Sequence, residues 1–182
     1  DFQDYNENNT YGHKGAVLLS LNYAITTKRL TVVLFKAQNL NLVSDDNQGI
    51  YGEATIIYHK KSRRKRKVTR SMSGTNNPVY NEAISFDLSD LDITDIKLQI
   101  TLKQKRTDKP NVALGRLLIG SDVKDSDAKL HWNNAMNANK AVAQWHSLQH
   151  CQSYNCTNRR RFRNRLSCSD NDVLTDSSSS DD

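Results

Sequence analysis

Short segments rich in aliphatic, β-branched and aromatic residues recur along most of this chain, with polar turns between them. Many of these segments alternate at least partly between apolar and polar positions, which is typical of half-buried strands. They read AVLLSLNY, RLTVVLFKA, EATIIYHKK, EAISFDL, IKLQITLKQ, ALGRLLIG and VAQWHSL. Between residues 126 and 139, the spacing of Leu130, Trp132, Ala135 and Met136 instead predicts one short helix. Many short strands with one late helix predict an all-β fold, an antiparallel β-sandwich.

A basic stretch, KKSRRKRKVTR, runs from Lys60 to Arg70, and eight of its eleven residues are Lys or Arg. The whole chain carries a formal charge of +6, so the sequence outside this stretch is slightly acidic. The stretch alternates less clearly than the others, but it lies among them and is taken as an eighth strand. Charge that is concentrated in this way predicts one local docking surface for an anionic partner.

The ends of the chain differ from its middle. Residues 1–12 are polar and aperiodic, which predicts a linker, and residues 13–150 hold the predicted domain. Residues 151–182 are first basic, then acidic and rich in serine. Such a composition buries too little apolar surface to offset the entropy of ordering, so we expect a disordered tail.

Several classes of protein are disfavoured by what the sequence lacks. No apolar run approaches the roughly 18 residues of a transmembrane helix, and no signal peptide is evident. The odd number of cysteines, all near the C-terminal end, argues against a disulfide framework and for a reducing, cytosolic environment. No glycine-rich phosphate loop, paired-carboxylate site or histidine with a plausible nucleophile appears, so neither an enzyme nor a cofactor is expected. The spacing of His146, His150, Cys151 and Cys156 fits no zinc pattern.

The order of motifs resembles a C2 domain, and more specifically the second, membrane-distal C2 domain of the synaptotagmin family. The motifs are LSLNY, RLTVVLFKAQNL, TNNPVYNEAISFDL, LGRLLIG, HWNNAM and VAQWHSL, and the resemblance covers residues 13–149. The resemblance implies an eight-stranded antiparallel C2 β-sandwich with one short helix before the last strand. Within that fold, Trp132 and Trp145 are expected to pack into one end of the sandwich.

The resemblance also implies where calcium would bind, because two loops of a calcium-binding C2 domain supply five acidic residues. The matching positions here hold Ser44 or Asp45, then Tyr51, Gln104, Arg106 and Val112. One carboxylate beside an arginine cannot supply the six to eight oxygen ligands that calcium needs. We therefore expect an atypical member of the family that binds no calcium and no other metal.

The basic stretch matches the polybasic strand of the family, which by resemblance binds phosphoinositides, SNARE proteins and clathrin adaptors. The expected lipid-binding residues are Lys65, Arg66 and Lys67 at its centre, extended by Lys60, Lys61, Arg63 and Arg64. The resemblance implies an anionic membrane surface as partner, on the cytoplasmic face of a vesicle or of the plasma membrane. It also implies an anchor upstream of this chain, and another C2 domain is a further possible partner.

Other interpretations of the basic stretch remain open. Nucleic acid is disfavoured, because no aromatic residues are interleaved to stack on bases and no helix carries the charge into a groove. The stretch is also compatible with a solvated face that binds nothing, and heparin-like polyanions fit the charge but not the compartment. The main alternative is a protein-interaction or oligomerisation module for which lipid contact is incidental.

Two further features limit or extend the resemblance. Where the family often has a pair of arginines before the last strand, this chain has Asn139 and Lys140, which puts a second membrane contact in doubt. The acidic end of the tail could fold back on a basic patch and compete with lipid, and phosphorylation of Ser177 to Ser180 would strengthen that competition. The alternative is an unstructured, solubilising tail. Palmitoylation of Cys151 or Cys156 rests only on the presence of these residues.

Overall fold

The computed structural model describes residues 15–43, 48–58, 63–73, 75–138 and 140–149, and for residues 63 and 64 it describes the backbone only. These ranges fall inside the predicted domain of residues 13–150. The predicted linker and the predicted disordered tail lie outside the described residues.

The described residues form eight strands, one α-helix and one 3₁₀ turn at Ile93–Asp95. The helix lies between the last two strands, as the sequence predicts. The elements are β1 Ala16–Ala24, β2 Arg29–Gln38, β3 Ile50–Tyr58, β4 Arg63–Val68, β5 Val79–Asp87, β6 Ile96–Gln104, β7 Val112–Ile119, α1 Ser126–Asn137 and β8 Val142–Ser147.

The strands make two four-stranded sheets, and every pair of neighbours within them is antiparallel. The first sheet has the strand order β5-β2-β1-β8, and the second has the order β4-β3-β6-β7. Alternate residues along the strands meet between the sheets in one apolar core, which includes Leu19, Leu34, Ile56, Phe86 and Leu98. The predicted antiparallel β-sandwich is confirmed.

The turn around Asn77 and Pro78 fastens β5 to the end of β2. The Oδ1 atom of Asn77 accepts a hydrogen bond from the backbone N–H of Asn39 at 2.8 Å, and the carbonyl of Pro78 accepts one from Ala37 at 2.9 Å. Just beyond, the pairing of β2 with β5 shifts register, and Asn81 takes a left-handed φ of 50°. Asparagine tolerates this region better than most residues, so the predicted turn is followed by a bulge before β5 becomes regular.

Helix α1 begins at an N-cap, Asp125, whose Oδ1 accepts hydrogen bonds from the N–H groups of Asp127 and Ala128. The buried positions on α1 are Ala128, His131, Trp132 and Ala135, the three- and four-residue spacing of one helix face. Leu130, one of the residues whose spacing predicts the helix, is exposed because it lies off this face.

The two tryptophans have different environments, which corrects the expectation that both pack into the end of the sandwich. Trp132 is buried, but Trp145 is 39 % exposed and lies opposite Leu18 on the outer side of the first sheet. The reason is the alternation of β8, which turns the neighbouring His146 inward. The Nζ of Lys36 lies 5.5 Å from the centre of the Trp145 ring, a cation–π contact on that outer side.

Candidate functional site

The basic stretch forms β4, which is an edge strand of the second sheet. Its backbone pairs with β3 in a continuous register, from Tyr58 opposite Arg63 to Glu53 opposite Val68. A strand with one neighbour keeps its other edge open, and charged side chains are a common way to protect such an edge. The basic stretch therefore lies within a sheet, as the sequence predicts. Its position at the edge of that sheet gives its cations access to solvent.

Alternation along β4 divides its cations between two sides of the sheet. Arg66 lies on the outer side, where its Nη1 donates to Oε2 of Glu53 on β3 at 3.0 Å. The Nζ of Lys103, on β6, donates to the same oxygen at 3.0 Å. The Glu53 side chain is only 9 % exposed, whereas that of Arg66 is 50 % exposed. A buried carboxylate thus joins the basic strand to a lysine from the other side of β3.

Lys65 and Lys67 extend to the other side of β4, toward the end of β5 in the opposite sheet. The Nζ of Lys65 donates to the carbonyl oxygen of Asp87, and the Nζ of Lys67 lies 5.8 Å from the centre of the Phe86 ring. The N–H and hydroxyl of Ser89 hold the pKa of the Asp87 carboxyl below its usual value, and the nearby charges of Lys65 and Arg29 lower this pKa further. These lysines therefore lie along the rim between the two sheets.

The other predicted lipid-binding residues are only partly described. Lys60 and Lys61 lie outside the described residues, and for Arg63 and Arg64 the backbone pairing with β3 is known. Glu53 and Lys103 are not among the site residues predicted from the sequence, although both lie within predicted strands. In the sequence, both residues are marked only by the alternation of polar and apolar positions within their strands. This alternation does not show which strands are neighbours in the sheet.

At one end of the sandwich, the loop after β2 and the loop after β6 are tied together by hydrogen bonds. Gln104 is buried, and its Oε1 accepts from the backbone N–H of Val43 at 3.0 Å. The N–H of Lys105 donates to the carbonyl of Gly49 at 2.8 Å. Gly49 has a φ of 112°, which favours glycine and fits the expected end of the loop. At the position of Gln104, which matches a calcium ligand of the family, a carboxamide therefore links the two loops by a direct hydrogen bond.

Arg106, also a position that matches a calcium ligand, contacts its own loop. Its Nε and Nη2 both donate to the carbonyl oxygen of Pro110, at 3.0 and 2.7 Å. The hydroxyl of Tyr51 accepts from Asn111 at 3.1 Å, and the Nζ of Lys105 lies 5.8 Å from the Tyr51 ring. Val112 begins β7, and the positions of Ser44 and Asp45 lie outside the described residues.

Two kinds of feature are missing from the described part of the chain. In that part, no group of three or more His, Cys, Asp or Glu residues is placed to hold a metal ion. No helix there has both the length and the apolar character needed to cross a bilayer.

Comparison with known proteins agrees with this architecture. The family model of the C2 domain matches residues 28–135, more than half of the chain. Synaptotagmin-13 of Rattus norvegicus is 31% identical over 139 residues, which are 74% of this chain and 32% of that protein. Synaptotagmin-12 of Homo sapiens is 29% identical over 136 residues, again 74% of this chain and 32% of that protein. The chain thus spans about a third of the length of these curated relatives.

Solved structures show the same fold. The third C2 domain of the KIAA1228 protein has a TM-score of 0.58 at 21% identity, with 80% of this chain and 95% of that chain covered. A C2 domain of RIM from Drosophila has a TM-score of 0.54 at 21% identity, with 76% and 100% covered. The fold, the motif order and the family match confirm the predicted resemblance to a C2 domain of the synaptotagmin family. The chain belongs to the C2 domain family, with synaptotagmins among its relatives.

Proposed function

We propose that this C2 domain binds an anionic phospholipid surface, with a preference for phosphoinositides, through β4 and without calcium. C2 domains of synaptotagmin-like proteins are non-enzymatic binding modules, so a docking surface is the site to expect. The observation that carries the proposal is the edge position of β4, which presents Lys65, Arg66 and Lys67 on a single open margin of the sandwich. Arg66 and Lys67 are exposed, and Lys65 is half-buried.

The strength expected of this surface is modest. A basic residue close to an anionic leaflet contributes on the order of 1 kcal/mol, so about four cations give roughly millimolar affinity. Such a tether becomes effective when a second attachment holds the domain near the membrane. We therefore propose a place on the cytoplasmic face of a vesicle or of the plasma membrane, with an upstream anchor or a neighbouring C2 domain as the second attachment.

Calcium independence is supported by the end of the sandwich where the two loops meet. Gln104 and Arg106 stand at two positions where the resemblance implies carboxylates, and their side chains are hydrogen-bonded to Val43 and Pro110 of the loops. A neutral carboxamide and a guanidinium supply no negative charge, and calcium affinity depends on the number of charged oxygen ligands.

Co-sedimentation of the 182-residue chain with liposomes tests the proposal. The vesicles contain phosphatidylcholine with or without phosphatidylinositol 4,5-bisphosphate, and each set is assayed in calcium and in chelator. Binding that requires the phosphoinositide and is equal in calcium and chelator supports the proposal. Binding only in calcium contradicts the calcium-independent part, and absence of binding in every condition contradicts the lipid function itself.

The second candidate function is protein interaction, which is favoured by the exposed Trp145. This ring lies on β8, the edge strand of the first sheet that is farthest from β5, whereas β4 approaches β5. Exposed tryptophans are frequent in protein interfaces, and a SNARE protein, a clathrin adaptor or another C2 domain is the proposed partner. The triple variant Lys65→Glu/Arg66→Glu/Lys67→Glu separates the two functions, because it abolishes lipid binding through β4 and leaves an interaction through the first sheet intact.

A further inference from the structure

Glu53 is placed at the centre of the outer side of the second sheet, between two cations from different strands. It is opposite Val68 on β4 and opposite Thr101 on β6, so Arg66 and Lys103 reach it diagonally from the next positions of the same side. Both cations donate to one oxygen, Oε2, at 3.0 Å. This is the geometry in which two cations would receive an oxygen of an anionic ligand.

The two cations differ from Glu53 in their access to solvent. The side chains of Arg66 and Lys103 are 50% and 24% exposed, whereas the Glu53 side chain is 9% exposed. Arginine has five N–H donors and lysine has three, so each cation has more donors than the one that contacts Glu53. A ligand can therefore approach the cations from solvent while the carboxylate lies beneath them.

We propose that Glu53 is a built-in competitor for the anion that binds this surface, and that it selects phosphomonoester headgroups over singly charged ones. The proposal rests on the proposed lipid function and adds a residue that determines its specificity. The ligand is a membrane headgroup that carries phosphomonoesters, the chemistry of a phosphoinositide.

The selection follows from the charges that must be exchanged. A phosphomonoester carries about −1.5 to −2 at neutral pH, whereas a phosphatidylserine headgroup carries a net charge near −1. When a singly charged headgroup draws Arg66 and Lys103 away from Glu53, these cations exchange one singly charged anion, the carboxylate, for another. This exchange also leaves a buried carboxylate without its partners, which is costly. A phosphomonoester brings additional charge that offsets this cost.

The experiment compares the wild-type chain with Glu53→Gln on two kinds of vesicle that are matched in total headgroup charge. One contains phosphatidylserine and the other phosphatidylinositol 4,5-bisphosphate, both in phosphatidylcholine. The control is Asp122→Asn, which makes the same change of charge at the ion pair with Lys97, at the other end of β6 from Lys103. Thermal melting of each protein verifies folding, and Glu53→Met replaces Glu53→Gln if the latter does not fold.

We expect Glu53→Gln to raise the affinity for phosphatidylserine vesicles about fivefold, the factor that one additional basic charge gives at an anionic surface. Affinity for the phosphoinositide vesicles should rise less, so the preference for phosphoinositide over phosphatidylserine narrows. The control Asp122→Asn leaves this preference as in the wild type. An unchanged or lower affinity for phosphatidylserine, or an equal effect of Asp122→Asn, overturns the proposal while the lipid function stands. If the wild type binds neither vesicle the lipid function fails, and the competitor role then survives only if Glu53→Gln gains binding.

Discussion

The rings of His131 on α1 and His146 on β8 are stacked inside the protein, with His131 Nδ1 at 2.7 Å from His146 Nε2. Their centroids are 5.0 Å apart. The Nε2 of His131 lies 2.8 Å from the carbonyl oxygen of Val142, so this nitrogen must carry the proton and donate it. In a neutral His131 the Nδ1 then accepts, and Nε2–H of His146 is the donor. One pair of neutral imidazoles therefore joins the helix to the last strand.

We predict that the domain loses stability as the pH falls from about 6.5 toward 4. Burial lowers the pKa of His131, and burial together with the charge of His131 lowers the pKa of His146 to about 4. The nearby carboxylates Asp125 and Asp127 oppose this effect on His146 only in part. A histidine whose pKa is depressed by folding takes up its proton in the unfolded chain first, so acid favours unfolding across this window.

Urea unfolding between pH 7 and pH 4 measures this effect. The slope for each histidine is at most about 1.4 kcal/mol per pH unit. The variant His146→Gln is expected to be less stable at pH 7 but to have a shallower dependence on pH. A wild-type free energy of unfolding that is flat between pH 6.5 and pH 4.5 would contradict the assignment of neutral imidazoles.

Substitution of the two tryptophans should have very different effects on stability. Trp132 is 2% exposed and packs within the core, so Trp132→Ala is expected to cost about 3–5 kcal/mol. Trp145 is on the outer side of its sheet with Lys36 above the ring, and Trp145→Ala is expected to cost about 1 kcal/mol or less. Urea unfolding of the two variants measures these losses of stability. Equal losses would mean that Trp145 is also a core residue.

Calcium should leave the thermal stability of the domain unchanged. A ligand that binds the folded state raises the melting temperature in proportion to the logarithm of its concentration over its dissociation constant. Gln104 and Arg106, at two of the matching ligand positions, contact Val43 and Pro110 and carry no negative charge for calcium. Melting curves in millimolar calcium and in chelator should therefore coincide, with magnesium as the control for ionic strength. A rise specific to calcium would show that the loops retain a site.

Much of the fold could be predicted from the sequence, because the pattern of apolar residues follows the packing directly. In RLTVVLFKA the side chains of Leu30, Val32 and Leu34 alternate toward the core, and alternation of this kind is visible in the printed sequence. The turn at Asn77-Pro78 and the short helix can also be predicted from nearby residues, the turn from its Asn-Pro pair and the helix from the spacing of its apolar residues. The expectation for Trp145 was wrong because its size and hydrophobicity favoured burial, whereas the strand parity of β8 sets its direction.

The electrostatics of the site could be predicted less well, because they depend on which strands are neighbours. Arg66 was identified from its place in a basic stretch, and local charge density is enough for that. Its contact with Glu53 joins residues 13 positions apart, and the contact of Glu53 with Lys103 joins residues 50 positions apart. Both contacts are determined by the order of the strands in the sheet and by their register. Neither the order nor the register can be read from a single sequence.

The double variant Lys65→Ala/Lys67→Ala should weaken binding to phosphoinositide vesicles about thirtyfold. Both lysines lie along the rim at the end of β5, where Lys65 contacts the Asp87 carbonyl and Lys67 the Phe86 ring. Loss of two cations at an anionic surface costs on the order of 2 kcal/mol. At about 1.4 kcal/mol for each factor of ten, this corresponds to the expected loss of affinity.

The matched control for this experiment is Lys124→Ala/Lys129→Ala, which removes the same charge from exposed lysines near α1. Its affinity should remain within about twofold of the wild type, because charges beyond a Debye length of roughly 10 Å are largely screened. Vesicle titrations of both variants at physiological ionic strength compare them directly. Equal losses would mean that binding follows net charge, and the rim of β4 would then have no special role. A loss confined to Lys65→Ala/Lys67→Ala would place the lysines of the rim in the lipid contact, beside Arg66 on the outer side.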